Sequence, residues 1–101
     1  MKISSSQRAY LKGLAMTMDP IVQIGKESLT DNVIMSILEA IRSRELIKVS
    51  VLKNCEDDIK EIARVSAERT DALLVQVIGR KFVLYRPADD AKDRKIILPP
   101  R

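Results

Sequence analysis

The residues with the clearest chemical potential surround Lys26, in a run between a strand-like apolar segment and a helix: Ile24-Gly25-Lys26-Glu27-Ser28-Leu29-Thr30. Gly25 is expected to take the positive φ that a sharp strand-to-helix turn needs. Thr30 is a favoured N-cap, so the helix after it would present unpaired backbone N–H groups beside the Lys26 cation. That combination suits an anion such as phosphate. An ordinary strand-to-helix turn that binds nothing has the same pattern.

The remaining composition argues against catalysis and against a metal or cofactor site. The chain has no histidine, which excludes a serine triad, a Cys-His dyad and a histidine-ligated zinc site. Its single cysteine, Cys55, cannot form an internal disulfide, and the carboxylates that follow it disfavour a nucleophilic thiolate. Those carboxylates, Glu56, Asp57 and Asp58, fit the N-terminus of a helix better than a metal site. We therefore expect no enzyme and no cofactor.

The formal net charge of +4 is unevenly distributed along the chain. Residues 1–55 carry eight Lys and Arg against five Asp and Glu, residues 56–71 carry three against six, and residues 72–101 carry seven against three. One acidic helix between two basic flanks predicts a polarised molecule, with that helix facing away from a basic surface that could meet a polyanion. A mixed, solubilising surface has the same composition.

Length and hydrophobicity predict one folded domain over residues 1–101. An apolar share of 46% supplies a core, and 101 residues are too few for two domains. No apolar run approaches the roughly 18 residues of a membrane span, and the first residues lack the apolar stretch of a signal peptide. We therefore expect a cytoplasmic monomer without membrane contact.

Apolar spacing divides the chain into alternating helices and strands. The predicted elements are a helix over residues 4–15, a strand over 21–24, a helix with its apolar stripe from Val33 to Ile41, a strand over 46–51, a helix opened by Glu56, and strands over 73–78 and 82–86. On the first helix, Tyr10, Leu11 and Leu14 should form the apolar side. Strands joined through helices should be parallel, whereas the last two should form an antiparallel hairpin.

The fold class is therefore α/β, with the order α-β-α-β-α-β-β and helices packed on a four-stranded mixed sheet. Its core should cover about residues 4–87. Residues 88–101 are expected to form a charged, mobile tail, of which the apolar segment Ile96–Leu98 docks back.

The other cations fall into groups that these elements set. Arg8 and Lys12 lie four residues apart and share one face of the first helix. Arg80 and Lys81 follow Gly79 at the tip of the last hairpin, where a leading glycine suits a type II′ turn. Arg80 and Lys81 would extend the contact with the phosphates of a polyanion, and the candidates for the surrounding positive field are Arg8, Lys12, Arg44, Lys48 and Arg86.

Several spaced blocks of the sequence, read together, carry a family resemblance. They are Leu11-Lys12-Gly13-Leu14-Ala15, Pro20, Ile24-Gly25, Leu29-Thr30, Glu45-Leu46-Ile47-Lys48-Val49, Val75-Gln76-Val77-Ile78-Gly79 and Val83-Leu84-Tyr85-Arg86-Pro87. From about Gln7 to Pro99 the chain resembles the CRM domain, and most closely its bacterial single-domain YhbY-type members. The resemblance implies RNA binding, association with precursors of the large ribosomal subunit, and a fold similar to the C-terminal domain of bacterial translation initiation factor three.

In that family the RNA-contacting loop between the first strand and the second helix has the form Gly-x-x-Gly, similar to the clamp of KH domains. It maps onto Gly25-Lys26-Glu27-Ser28, so the resemblance implies Gly25, Lys26 and Ser28 as RNA contacts. Ser28 replaces the second glycine. Serine resists positive φ, although its hydroxyl can hydrogen-bond a phosphate. Glu27 adds a negative charge to the loop.

Three functions remain as hypotheses. The first is a non-catalytic protein that binds ribosomal RNA during assembly of the large subunit. It would read phosphates and RNA shape, because one Phe and two Tyr offer no platform for stacking bases. The second is a general nucleic-acid-coating protein similar to the Alba type. The third is a protein-interaction module whose basic face meets an acidic partner.

Overall fold

The computed structural model describes residues 2–101 and has the alternating helices and strands that the sequence predicts. The helices are α1 (Ser5–Met16), α2 (Asp31–Arg44) and α3 (Ile59–Arg69), the strands are β1 (Val22–Ile24), β2 (Leu46–Val51), β3 (Leu73–Ile78) and β4 (Lys81–Tyr85), and a short 3₁₀ turn covers Ala91–Asp93. The predicted α/β class and the order α-β-α-β-α-β-β are confirmed.

The four strands form one mixed sheet in the order β1-β2-β4-β3. β1 and β2 are parallel, because α2 carries the chain back between them, and β4 is antiparallel to both of its neighbours. The carboxyl ends of β1 and β2 therefore lie at the same edge as the turn between β3 and β4. We call this the loop edge; it consists of residues 25–30, 52–58 and 79–80.

The two faces of the sheet form two separate cores. One face packs under α2 and α3, where Ile37 and Phe82 are completely buried. The other face packs under α1 and the C-terminal residues, where Leu11 and Ala15 are completely buried. The helices therefore lie on both faces, with α1 on one side of the sheet and α2 and α3 on the other.

The buried side of α1 differs from the predicted one. Gln7, Leu11 and Ala15 are buried, whereas Tyr10 is 42% and Leu14 is 38% exposed. The small Ala15 lets the helix approach the sheet closely. The Gln7 side chain can be buried because its amide accepts from the Ser4 N–H at 2.9 Å and donates to the Pro99 carbonyl at 2.9 Å.

Side-chain caps set where α2 and α3 begin. Thr30 caps α2, and Asp58 caps α3, each by accepting the backbone N–H of the third residue after it at 3.1 Å. Because Asp58 is the cap, α3 begins at Ile59. Glu56 and Asp57 therefore precede the helix, which corrects the prediction that they open it.

The C-terminal tail, residues 88–101, is held against the core rather than free of it, contrary to the expectation of a mobile tail. The anchor is Glu45, which is only 2% exposed. Its carboxylate accepts the backbone N–H groups of Ala88 at 2.7 Å, Lys95 at 2.7 Å and Ile96 at 2.9 Å. These bonds satisfy both the buried charge and three backbone donors. Beyond them, Ile96 and Leu98 pack into the core under α1.

Residues 2–101 contain neither a helix that could span a membrane nor a group of side chains that could bind a metal ion. α2 is a helix of 14 residues, and no helix within residues 2–101 is both long and apolar enough to cross a bilayer. In the same residues, no three acidic or cysteine side chains are grouped so that they could hold a metal ion.

Candidate nucleic-acid interface

The loop from Gly25 to Ser28 turns tightly, but its left-handed residue is not the glycine. Ser28 has a φ of 59°, whereas Gly25 does not have positive φ, so the prediction for Gly25 was wrong. The turn is closed by a hydrogen bond from the Ser28 N–H to the Gly25 carbonyl at 2.9 Å. The change in direction of the backbone therefore takes place at Ser28. Serine thus holds a conformation that a second glycine would adopt at lower cost.

Lys26 is exposed at the loop edge beside a cation that the sequence did not single out. Lys53, in the loop after β2, lines with Lys26 and Asn54 a cleft of about 540 Å³. The Leu52 N–H donates to the Ile24 carbonyl at 2.8 Å, which holds the two loops side by side. A signal for Lys53 was available, because loops that follow two neighbouring parallel strands emerge at the same edge.

The acidic helix α3 lies on the sheet face opposite α1, as the expectation that it faces away requires, but its acidic start reaches the loop edge. Glu56 and Asp57 line the cleft of Lys26 and Lys53. Asp57, Asp58 and Glu61 lie with Glu27 along an adjoining cleft of about 390 Å³. The reason is topological, since α3 follows β2 after a short loop and must begin at the edge where β2 ends. One flank of the loop edge is therefore negative, and a polyanion is favoured on the opposite flank.

The cation in the middle of α3 is neutralised within its own helix. Arg64 pairs with Glu61 one turn before it and with Glu68 one turn after it, at 2.7 Å for Glu68. The hydrogen bond from Arg64 lowers the pKa of Glu61, and the same bond raises the pKa of Arg64. Both partners are exposed, so the pairs mainly cancel charge.

The hairpin between β3 and β4 has the predicted turn but uses its first cation internally. Gly79 has a φ of 56° and the second turn residue, Arg80, does not have positive φ, which is the pattern of a type II′ turn. The Arg80 guanidinium folds back and donates to three carbonyl oxygens, those of Val51 at 3.0 Å, Leu52, and Cys55 at 3.3 Å.

Arg80 therefore lies in the turn at the hairpin tip, as predicted, but its guanidinium is engaged by the neighbouring loop. Carbonyls at the end of a strand need donors, and the planar guanidinium fork of arginine supplies several at once. Arg80 positions the loop that carries Lys53, while Lys81 remains exposed.

The sheet register places further polar residues beside the loop edge, on the face that carries α1. Cross-strand partners share a face. One row therefore consists of Gln23, Ser50, Lys81 and Ile78, and the next contains Lys48, Val83 and Gln76. Val83 is 2% exposed beneath α1, but Ile78 is 62% exposed, so the first row is open. We call these six residues the open half-face: Gln23, Lys48, Ser50, Gln76, Ile78 and Lys81.

The open half-face is free of negative charge. Neither α1 nor any of the four strands contains an Asp or Glu. None of the ion pairs within residues 2–101 involves Lys12, Lys48 or Lys81. This surface therefore combines neutral polar groups with lysines that take part in none of these ion pairs.

The α1 helix borders the open half-face. Its Leu14 flank faces the C-terminal tail, where Leu14 lines a groove beside Ile96. The opposite flank, which carries Arg8 and Lys12 as predicted, therefore faces the open half-face. Lys12 is exposed. The Arg8 guanidinium instead donates to two carbonyls at the bulge of β3, those of Leu74 at 2.9 Å and Val75 at 2.7 Å.

Arg44 and Arg86 lie at the other end of the sheet. Arg44 ends α2 just before β2 begins, and Arg86 follows the end of β4. Arg86 is engaged there, since it donates to the Thr70 carbonyl at 3.3 Å and pairs with Asp89 at 3.9 Å. The predicted positive field is thus not one surface. The predicted residues that do lie together, around the loop edge and the open half-face, are Gly25, Lys26, Ser28, Lys12, Lys48 and Lys81.

Comparison with known proteins agrees with this architecture. Residues 3–86 match the model of the CRS1/YhbY (CRM) domain. The chain belongs to this family. Over 97 residues this CRM domain is 40% identical to the probable RNA-binding protein YqeI of Bacillus subtilis, which covers 96% of this chain and 99% of YqeI. It is 39% identical over 90 residues to a protein of Haemophilus influenzae named RNA-binding protein, covering 89% and 91% of the two chains.

A solved structure shows the same CRM fold. The solution structure of a hypothetical Staphylococcus aureus protein, described as a candidate RNA-binding protein, has a TM-score of 0.80 and 44% sequence identity to this chain. The match covers 97% of this chain and 100% of the other. The loop edge and the open half-face described above therefore belong to a fold found in proteins named for RNA binding.

Proposed function

We propose that this CRM domain is a non-catalytic RNA-binding protein that acts in the cytoplasm, as a monomer, on ribosomal RNA in precursors of the large subunit. The observation that carries the proposal is the acid-free surface of α1 and the open half-face, continuous with Lys26 and Lys53 at the loop edge. A polyanion with regularly spaced phosphates complements such a surface. The names of the relatives support RNA as the partner, and the family resemblance supplies the large subunit.

The exposed lysines bind phosphates at two places, according to their position. Lys26 and Lys53 hold phosphates at the loop edge, and Lys12, Lys48 and Lys81 extend the contact across the sheet. Glu56 and Asp57 line the same cleft as Lys26 and Lys53, and with Asp58 they repel the backbone on the α3 side, so the RNA has one favoured side of approach. Arg80 acts through the β2–α3 loop rather than on the RNA.

In this proposal the surface supplies binding and orientation, and catalysis is no part of its function. The chain has no histidine, and its single cysteine, Cys55, is 4% exposed. Phosphate contacts set register and affinity without reading sequence. The RNA site is therefore chosen by the shape of the folded RNA. The bound RNA is released without chemical change.

Binding in vitro tests the RNA part of the proposal. A labelled fragment of precursor large-subunit RNA is titrated with protein at increasing salt, using Lys26→Glu and, as a matched charge reversal on exposed α3, Lys60→Glu. Lys26→Glu should weaken binding about tenfold and leave the free energy of unfolding within about 0.5 kcal/mol. Lys60→Glu should change neither. Equal affinities for the two variants, or an affinity that does not respond to salt, would contradict the proposal.

Crosslinking in cells, followed by sequencing of the attached RNA, tests the ribosomal part. Fragments should come mainly from precursors of the large-subunit RNA. Recovery of messenger RNA or DNA in equal measure would favour a coating protein. A partner protein that stays bound after nuclease treatment, with no RNA recovered, would favour the interaction module.

A further inference from the structure

We infer that the open half-face binds the shallow groove of an RNA double helix. The inference rests on the proposed RNA-binding function and adds the form of RNA that this face accepts. It follows from three properties of the face: the absence of aromatic side chains, the polar groups spread across its strands, and the position of the lysines in it and on its borders.

The aromatic residues are all placed elsewhere. Phe82 is completely buried and Tyr85 is 2% exposed. Tyr10 is exposed, but it lies one turn from Leu14, on the flank of α1 that faces the C-terminal tail. Unpaired bases are usually held by stacking on aromatic rings. The open half-face therefore has no group with which to hold splayed bases.

Across its strands the face instead carries groups that both donate and accept hydrogen bonds. Gln23, Ser50 and Gln76 are such groups, and they stand on three of the four strands. Neighbouring strands are about 4.8 Å apart, so the row from β1 to β3 spans about 14 Å. The minor groove of paired RNA is wide and shallow and displays 2′-hydroxyl groups, which are also donors and acceptors. Hydrogen-bonding groups spread over this width fit that groove.

Lysines border this row on two sides. Lys26 lies beyond it at the loop edge, and Lys12 lies on the α1 flank opposite, while Lys81 and Lys48 stand within the face. A groove has a phosphate backbone along each side. Cations on both borders match that arrangement, and Lys48 and Lys81 between them add charge among the neutral polar groups, whereas a single strand offers only one line of phosphates.

Fluorescence anisotropy with four probes, each titrated at the same series of salt concentrations, tests the inference: a 20-base-pair RNA duplex, the DNA duplex of the same sequence, and each RNA strand alone. The full-length protein should bind the RNA duplex at least about tenfold more tightly than the other probes. Lys81→Gln should weaken duplex binding about fivefold and reduce the salt slope by about one. Lys60→Gln, the same change of charge on α3, should do neither. Gln23→Ala should reduce the difference in affinity between the RNA duplex and the DNA duplex.

The outcomes separate this inference from the function on which it rests. Tighter binding to a single strand than to the duplex would overturn the inference and leave RNA binding intact, as would equal losses for Lys81→Gln and Lys60→Gln. Equal affinity for RNA and DNA duplexes would overturn recognition of the 2′-hydroxyl. Failure to bind any RNA would overturn the proposed function itself. Sedimentation that shows a dimer dissociated by Lys81→Gln would assign the face to a second copy and overturn the inference.

Discussion

The Glu45→Gln substitution is the sharpest test of how this fold is held together. Glu45 lies at the end of α2 with a φ of 66°, and its carboxylate is buried against the C-terminal tail. One carboxylate oxygen accepts the N–H groups of Lys95 and Ile96, and the other accepts the N–H of Ala88. Glutamine has nearly the same shape but only one acceptor oxygen, so its amide N–H₂ must face a backbone donor.

The expected loss follows from these contacts. Hydrogen bonds to a charged acceptor contribute about 1.5 to 3 kcal/mol each, and a buried donor left unsatisfied costs about 1 to 3 kcal/mol. Glutamine can keep the bonds to Lys95 and Ile96 in weakened, neutral form and loses the bond to Ala88. We expect the free energy of unfolding to fall by about 2 to 3 kcal/mol. Glu39→Gln, an exposed carboxylate on the same helix, should change it by less than about 0.5 kcal/mol.

The pH dependence has a definite sign. Burial raises the pKa of Glu45, but the N–H groups of Ala88, Ile96 and Lys95 and the charge of Lys95 outweigh it, so the pKa lies below its ordinary value of 4.5. A carboxyl whose pKa is lower in the folded state stabilises it above the unfolded-state pKa, and loses that effect as the pH falls through the folded-state pKa. The gap between wild type and Glu45→Gln should therefore be constant from pH 7 to pH 5.5 and shrink below about pH 4.5.

Urea denaturation followed by far-ultraviolet circular dichroism, at several pH values between 7 and 3, measures both the loss in free energy of unfolding and its dependence on pH. The slope with denaturant should stay the same, so that the difference appears in the midpoint. A gap that does not change between pH 7 and pH 3 would refute the role of the Glu45 charge. Equal stability of Glu45→Gln and Glu39→Gln would refute the anchoring of the tail.

Three further predictions concern single residues. Ser28→Gly should raise the free energy of unfolding by up to about 1 kcal/mol, because a left-handed non-glycine residue costs about 1 to 2 kcal/mol and glycine gives back part of that as chain entropy; a loss of stability in urea denaturation would contradict the strain. Ser66→Ala should stabilise the protein by about 1 kcal/mol in the same assay, because the buried Ser66 hydroxyl has no hydrogen-bond partner among residues 2–101; a loss of 1 kcal/mol or more would mean that the hydroxyl is satisfied. Arg80→Ala should lower the melting temperature by several degrees, since it frees three carbonyls, whereas Lys81→Ala should leave the melting temperature unchanged and weaken RNA binding; the reverse pattern would restore Arg80 as the RNA contact.

The sequence was most informative where local chemistry decides structure. β-branched runs predict strands, a leading glycine predicts the type II′ turn at Gly79, and Thr30 predicts the start of α2, because each depends on a few adjacent residues. Parallel pairing of β1 and β2 follows from the helix between them. These local rules, with the family resemblance, suffice for the fold class and for Lys26 as an exposed cation at the loop edge.

The remaining features depend on partners far away in the sequence. Arg80 could extend into solvent or fold back, and the choice depends on β4 lying next to β2, which brings carbonyls 25 to 29 residues away within reach. Glu45 reads as a charged residue at a helix end, because its donors lie 43 to 51 residues later. The left-handed Ser28 was missed for another reason. Glycine adopts positive φ most readily, which pointed to Gly25, but Gly25 begins the turn and the positive φ falls on Ser28, at its end.

The strand order also fixes when this protein can fold during its synthesis. β4 joins β2 to β3 in the middle of the sheet, yet it is the last strand in the chain. Until it emerges, β2 and β3 each have an unpaired inner edge, which invites pairing with other chains.

The same order times the appearance of the candidate RNA surface. Ser50 and Lys81 are direct partners in the open half-face but come from β2 and β4. The surface is therefore completed only after residue 81 has been added, and the Glu45 anchor only after residue 96. A translation product that stops before β4 has neither the complete sheet nor the lysine pattern that we propose to hold RNA.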